Sequence, residues 1–148
     1  MHAIWSAETT LDASPEFVWS VLVDFDAYPS WNPFTRQVRT SGVLGTPVVM
    51  TVDMGPLGVL EQTETLRVLD APRQIVWALD TLPRWLLWAR RTQTLTALPD
   101  GRTHYQTVDE IGGALLPIVR WRYGASLERG FASMAAALNA EVTRRRAL

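Results

Sequence analysis

LPIVRWRYGASLERGFASMAAALNAEV, residues 116–142, decides the fold. Leu116, Val119, Tyr123, Leu127, Met134, Leu138 and Val142 recur three, four or seven residues apart, and Phe131 joins the same face. That spacing predicts a helix with one apolar stripe. Pro117 is tolerated in a first turn, and no later proline interrupts the run. Gly124 and Gly130 each cost up to about 1 kcal/mol against alanine, and Gly130 permits a close approach. The Arg144-Arg145-Arg146 tail suits the negative end of a helix dipole and needs no partner. A helix this long cannot bury its stripe alone. Laid across a strongly curved sheet, it can.

The sheet is legible upstream. Residues 3–11 alternate as a strand. Ser14, Pro15 and Glu16 form a helix start, with Phe17, Val18, Val21 and Leu22 as its apolar stripe. Six strands are then expected at 34–40, 46–53, 59–69, 75–79, 86–98 and 102–111. Turns punctuate them, with Pro99-Asp100-Gly101 the strongest hairpin signal. Helices at both ends of an antiparallel run argue α+β. Between the first helix and the second strand lies DFDAYPSWNPF (24–34). Asp24 ends the helix and Asp26 caps a short second turn. Pro29 and Pro33 stop extension and force Asn32 into an extended conformation. Tyr28, Trp31 and Phe34 either anchor this corner or, for Trp31 and Phe34, reach a cavity rim.

Length suits one domain, 1–148. A net charge of −1 gives no electrostatic case for nucleic acid or an anionic membrane. The absence of cysteine excludes disulfides, thiolate catalysis and cysteine-ligated metals, and fits a cytoplasmic location. No signal peptide is evident at the N-terminus, and the apolar run 85–89 is too short to span a bilayer. No Ser–His–Asp order, glycine-rich phosphate loop or metal-spaced cluster occurs, so no metal and no cofactor is expected.

The segments ASPEFVWSVLVDFDAYPSWNPF (13–34), LRVLDAPRQIVWAL (66–79), LTALPDGRTHY (95–105) and GFASMAAALNA (130–140) carry, in this order, a further signal. Together they resemble the START-like helix-grip superfamily, and within it the SRPBCC group of polyketide cyclases/dehydrases and lipid-transport proteins. The resemblance implies a curved antiparallel sheet of about seven strands wrapped around a long C-terminal helix. Two short helices follow strand 1, and a ligand cavity lies between sheet and helix.

Strand parity then selects the residues that face this cavity. A tight turn at 99–101 sets Leu95 opposite Tyr105, Gln93 opposite Thr107, Arg91 opposite Asp109 and Ala89 opposite Ile111, all on the less polar face. A turn at Ala71-Pro72 sets Val68 beside Ile75, Leu66 beside Trp77 and Glu64 beside Leu79. The expected ligand-binding set is Trp77, Arg91, Gln93, Tyr105, Thr107, Asp109, Tyr123, Leu127, Trp31 and Phe34. Arg91 and Asp109 are expected to pair, either as a partly wet ion pair at the sheet edge or with Asp109 holding Arg91 to orient a ligand oxygen; in the second case Arg91→Ala weakens binding and spares the fold. Glu64 is either an edge glutamate in water or a buried carboxyl of raised pKa able to act as acid or base. His104 takes the outward parity. Trp85, in the apolar 82–88 stretch, either packs in a loop or gates an entrance.

The expected function is noncatalytic binding of a hydrophobic or amphipathic small molecule (a lipid, quinone or polyketide-like compound) as carrier or sensor. The alternative is a polyketide aromatase/cyclase or dehydratase-type enzyme in the same cavity, with Arg91, Asp109, Glu64 and Tyr105 as candidate catalytic residues. The expected assembly is a monomer or weak homodimer, without nucleic acid and without integral membrane association.

Overall fold

The computed structural model describes residues 2–148, so Met1, the first residue of the expected domain, lies outside the described residues. Seven strands run β1 (His2–Leu11), β2 (Thr35–Thr40), β3 (Pro47–Asp53), β4 (Val59–Asp70), β5 (Gln74–Leu79), β6 (Trp88–Ala97) and β7 (Thr103–Gly112). They form one antiparallel sheet in the order β1-β7-β6-β5-β4-β3-β2. Helix α1 (Pro15–Leu22) and the single-turn α2 (Tyr28–Trp31) lie between β1 and β2. Helix α3 (Leu116–Arg146) closes the chain against the concave face. This is the helix-grip arrangement.

Local chemistry sets the elements. The Ser14 side chain accepts from Phe17 N at 3.2 Å, and Pro15 occupies the first turn of α1. This satisfies one of the N–H groups a helix start leaves without a partner. In the 24–34 corner, the Tyr28 hydroxyl donates to Leu22 O at 2.5 Å, and its ring meets Phe25 and Trp31 edge-on at 5.3 and 5.0 Å. Asn32 is extended, and its Oδ1 accepts from Phe34 N and Thr35 N. Asp26 makes no capping hydrogen bond, and α1 ends at Leu22, two residues before Asp24.

One register and one strand start differ from expectation. Val68 pairs with Val76, and Leu69 with Ile75, because β4 carries an irregularity between Leu66 and Val68. An extra residue on one strand shifts the pairing on its turn side only, so Leu66 still faces Trp77. Strand β6 begins at Trp88. Before it, the 83–86 turn bonds to the entry of α3, with Ala114 N donating to Trp85 O and Leu115 N to Leu86 O. Trp85 itself is exposed. The Pro99–Gly101 hairpin keeps the expected register throughout.

Polar ties hold α3 along the grip. Trp5 Nε1 donates to Gly124 O at 3.2 Å, Ser126 Oγ to Met54 O at 2.9 Å, and Asn139 Nδ2 to Thr9 Oγ1 and Thr10 O. Farther along, Phe34 meets Phe131 edge-on at 5.0 Å and lies over the bare backbone of Gly130.

Candidate functional site

The inward parity of β4 to β7 sets two rows of side chains beneath α3. Trp77, Arg91 and Asp109 form one cross-strand row, continued by Trp5 on β1 and Leu66 on β4. Leu79, Ala89 and Ile111 form the next row, toward the entry of α3.

The two rows end differently. Around and beyond the first, the grip is filled. Trp77, Gln93, Tyr105 and Thr107 are fully buried, and the Tyr105 hydroxyl donates to Gln93 Oε1 at 2.6 Å. Arg91 is buried with them. Its Nε donates to Thr107 Oγ1 at 3.1 Å, one terminal nitrogen to Thr35 Oγ1 at 3.3 Å, and the other to Met134 Sδ at 2.9 Å. Its guanidinium lies over the Phe131 and Trp77 rings at 5.0 and 5.6 Å from their centroids. These partners aim Arg91 into the core, and no ion pair joins it to Asp109 despite their cross-strand pairing.

Around the second row the grip is open. A cavity of about 220 Å³ is lined there by Met54, Leu60, Leu79, Leu87, Ala89 and Ile111 from the sheet side. Helix α3 contributes Val119, Tyr123 and Leu127, and the polar wall is Gln62, Glu64 and Asp109. Of the residues expected from the sequence, Asp109, Tyr123, Leu127 and Glu64 therefore meet at one hollow. Trp77, Arg91, Gln93, Tyr105 and Thr107 stand behind its inner wall as core. Phe34 and Trp31 border other, more open depressions of about 230 and 370 Å³ at the 24–34 corner. Met54, Leu60, Gln62 and Leu87 were missed. Leu60 and Gln62 share the parity of Glu64 in β4, which is the signal that could have found them.

The electrostatics of this wall are lopsided. Asp109 is 8% exposed, and Glu64 Oε1 is closed to solvent without a hydrogen-bond partner. Neither carboxyl accepts a hydrogen bond from any described residue. Burial pushes Glu64 up to about 8, with Asp109 adding to the rise and Arg91 opposing it. Burial likewise lifts Asp109 to about 7, opposed by Arg91 and reinforced by Glu110 on the outer face. A carboxyl removed from water without donors holds its proton to higher pH, and a second carboxyl nearby strengthens the effect. Burial thus holds both groups above the usual carboxylate range, at the polar wall of a mostly apolar hollow. His104 lies outside, on the other face, 3.3 Å from Glu8.

Comparison with known proteins agrees with the geometry. The chain is 26% identical to oxopyrrolidines biosynthesis cluster protein O of Penicillium oxalicum, over 62% of this chain and 58% of that protein. The match thus spans little more than half the length of that curated relative. Among solved structures, the ZhuI aromatase/cyclase of Streptomyces sp. R1128 superposes with a TM-score of 0.78 at 21% identity, covering 99% of this chain and 96% of that one. A START superfamily protein of Mycobacterium smegmatis gives 0.71 at 20% identity, covering 98% and 99%. At such identities the likeness is one of fold. The sequence profile of the polyketide cyclase / dehydrase and lipid transport family matches residues 2–144, nearly the whole chain, and the protein belongs to that family.

Proposed function

We propose that the protein holds one hydrophobic or amphipathic small molecule in the hollow between the sheet and the first turns of α3, as a carrier or sensor. The observation that carries this reading is the unfilled 220 Å³ space itself. Interiors are packed as densely as organic crystals, so a mostly apolar hollow of this size kept open beneath α3 is suited to a ligand. An apolar cavity of about 150 Å³ accommodates benzene. This hollow accordingly suits a ligand of one or two rings, or the end of a longer lipid, quinone or polyketide-like chain that leaves through the mouth. The family assignment supports the same class of ligand.

Native mass spectrometry of gently purified protein, followed by tryptophan fluorescence titration with lipids, quinones and aromatic compounds, tests the proposal. A bound adduct or a saturable response is expected. No adduct and no response across that panel would remove it.

A second reading, an aromatase/cyclase or dehydratase in the same hollow, is favoured by the two carboxyls. A group whose pKa lies near the working pH is suited to move protons, and the apolar wall would fold a flexible substrate into a reactive geometry. The fold likeness to an aromatase/cyclase supports this reading. Arg91 and Tyr105 lie outside the cavity lining, so Glu64 and Asp109 carry the acid–base role. Cyclised product from a poly-β-ketone substrate, lost in Asp109→Asn, is the expected result. Absence of turnover across such substrates leaves the carrier.

A further inference from the structure

We infer that the preferred occupant of this hollow is a small amphipathic amine, its apolar part against the wall and its ammonium between Glu64 and Asp109. The inference rests on the small-molecule reading above and specifies the ligand's head group. Two acids line one apolar cavity, and no described residue donates a hydrogen bond to either. Burying one carboxyl without a donor is costly, and a second beside it raises the cost further. A neutral ligand leaves the pair to be neutralised by protons alone, and does nothing for the repulsion once both groups are charged. A cation relieves it at both groups, because each carboxylate gains an opposite charge in a medium that screens poorly.

The protein offers no cation of its own for this role. The chain contains no lysine, so no side-chain ammonium can swing into the space. Arg91, whose charge opposes the rise at both carboxyls, spends its N–H groups on Thr107, Thr35 and Met134 and lies over Phe131 and Trp77. Arg67 is committed to Asp80 at 2.7 Å, with its side chain 43% exposed. On α3, the polar groups facing the cavity reduce to the Tyr123 hydroxyl, an acceptor for a second ammonium hydrogen. Row partners on β1 are Ala3 and Trp5, neither of which titrates. The lining thus holds two carboxyls, the Gln62 amide, the Tyr123 hydroxyl and apolar surface, with no cationic side chain among them, and this disfavours carboxylate-bearing ligands.

The test compares three probes of similar shape at pH 7.5 by isothermal titration calorimetry: 2-phenylethylamine, 2-phenylethanol and phenylacetate. The amine is expected to bind at least ten-fold more tightly than the alcohol, and the acid not to bind. Glu64→Gln and Asp109→Asn should each reduce the amine's advantage, and the double variant should abolish it while the alcohol still binds. If the alcohol binds the wild-type protein as well as the amine does, the cation preference is refuted and the cavity reading stands. If none of the three binds and the broader ligand panel is also silent, both fail. Thermal melts of the variants establish that they are folded, and the wild-type comparison alone is decisive if they are not.

Discussion

Arg91 shows how far a single residue can be read from sequence. Parity alone sets it opposite Asp109 on the concave face, and it is there. Parity cannot say which way a long side chain turns once inside. That depends on Thr35, fifty-six positions away, and Met134, forty-three positions away, which the fold brings to its guanidinium. The role changes with the direction. A ligand-orienting arginine would be dispensable for folding, whereas this one ties β6, β7, the start of β2 and α3 together between two aromatic rings. Arg91→Ala is expected to destabilise the protein by about 3 kcal/mol, through a large-to-small cavity and unmade polar contacts. Urea unfolding measures this, and a midpoint unchanged from wild type would restore Arg91 to the surface of the site. Glu64 carries the opposite lesson. Glutamates are seldom buried, so composition favours a wet edge, yet the inward parity of β4 and the cover of α3 close its Oε1 to solvent.

At the scale of elements, nearly every strand and helix was legible, because alternation, turn residues and helical spacing agree with one another along this chain. The exceptions have local causes. Nothing in the order of residues 66–70 announces the irregularity that moves Val68 opposite Val76. Apolarity places the start of β6 two residues early, because Leu86 and Leu87 run directly into Trp88, although Leu86 belongs to the turn that meets α3. The position of the hollow was not legible either. It depends on how closely α3 approaches each part of the sheet, and that spacing is set at a few contacts. Gly130 is one of them. A Cβ there would collide with the Phe34 ring, whereas Gly124 has only ordinary contacts with Trp5 and Arg120. Helix propensity alone predicts that both Gly→Ala changes stabilise α3 by up to about 1 kcal/mol. Overpacking at Gly130 costs about 1–3 kcal/mol and wins there. Gly130→Ala should therefore lower the melting temperature and Gly124→Ala should not. Equal effects of the two would mean that the Phe34–Phe131 contact does not set the helix position.

For the molecule as a whole, the acids taken wholly or partly out of water divide into two opposed groups, and their balance fixes how stability depends on pH. Glu141, 5% exposed in its side chain, lies between Arg144 at 2.8 Å and Arg145 at 2.9 Å, which hold it down at about 2. Its folded pKa is below the ordinary value, so it stabilises the fold above that value and loses this contribution as pH falls toward 2. Glu64 and Asp109 are raised from 4.5 and 3.8 to about 8 and about 7. Their contribution is complete below the ordinary carboxylate range and is lost as pH rises through 7 and 8, where the folded protein must ionise two carboxyls that lack donors. The ligand-free protein should thus be most stable in mildly acidic solution, near about pH 5, and weaken by a few kcal/mol toward pH 9. Asp80 and Asp100 are lowered too, but both are largely solvated, so their salt-bridged shifts add little. Thermal melts from pH 3 to 9 should trace this asymmetric dome, and Glu64→Gln with Asp109→Asn should flatten its alkaline side alone. A bound amine should tilt that same side upward, since the charge that weakens the empty hollow is the charge that holds the ligand. Stability that rises from pH 5 to 9 without ligand would show that the two carboxyls are solvated or paired, and the electrostatic account of the hollow would fall with it.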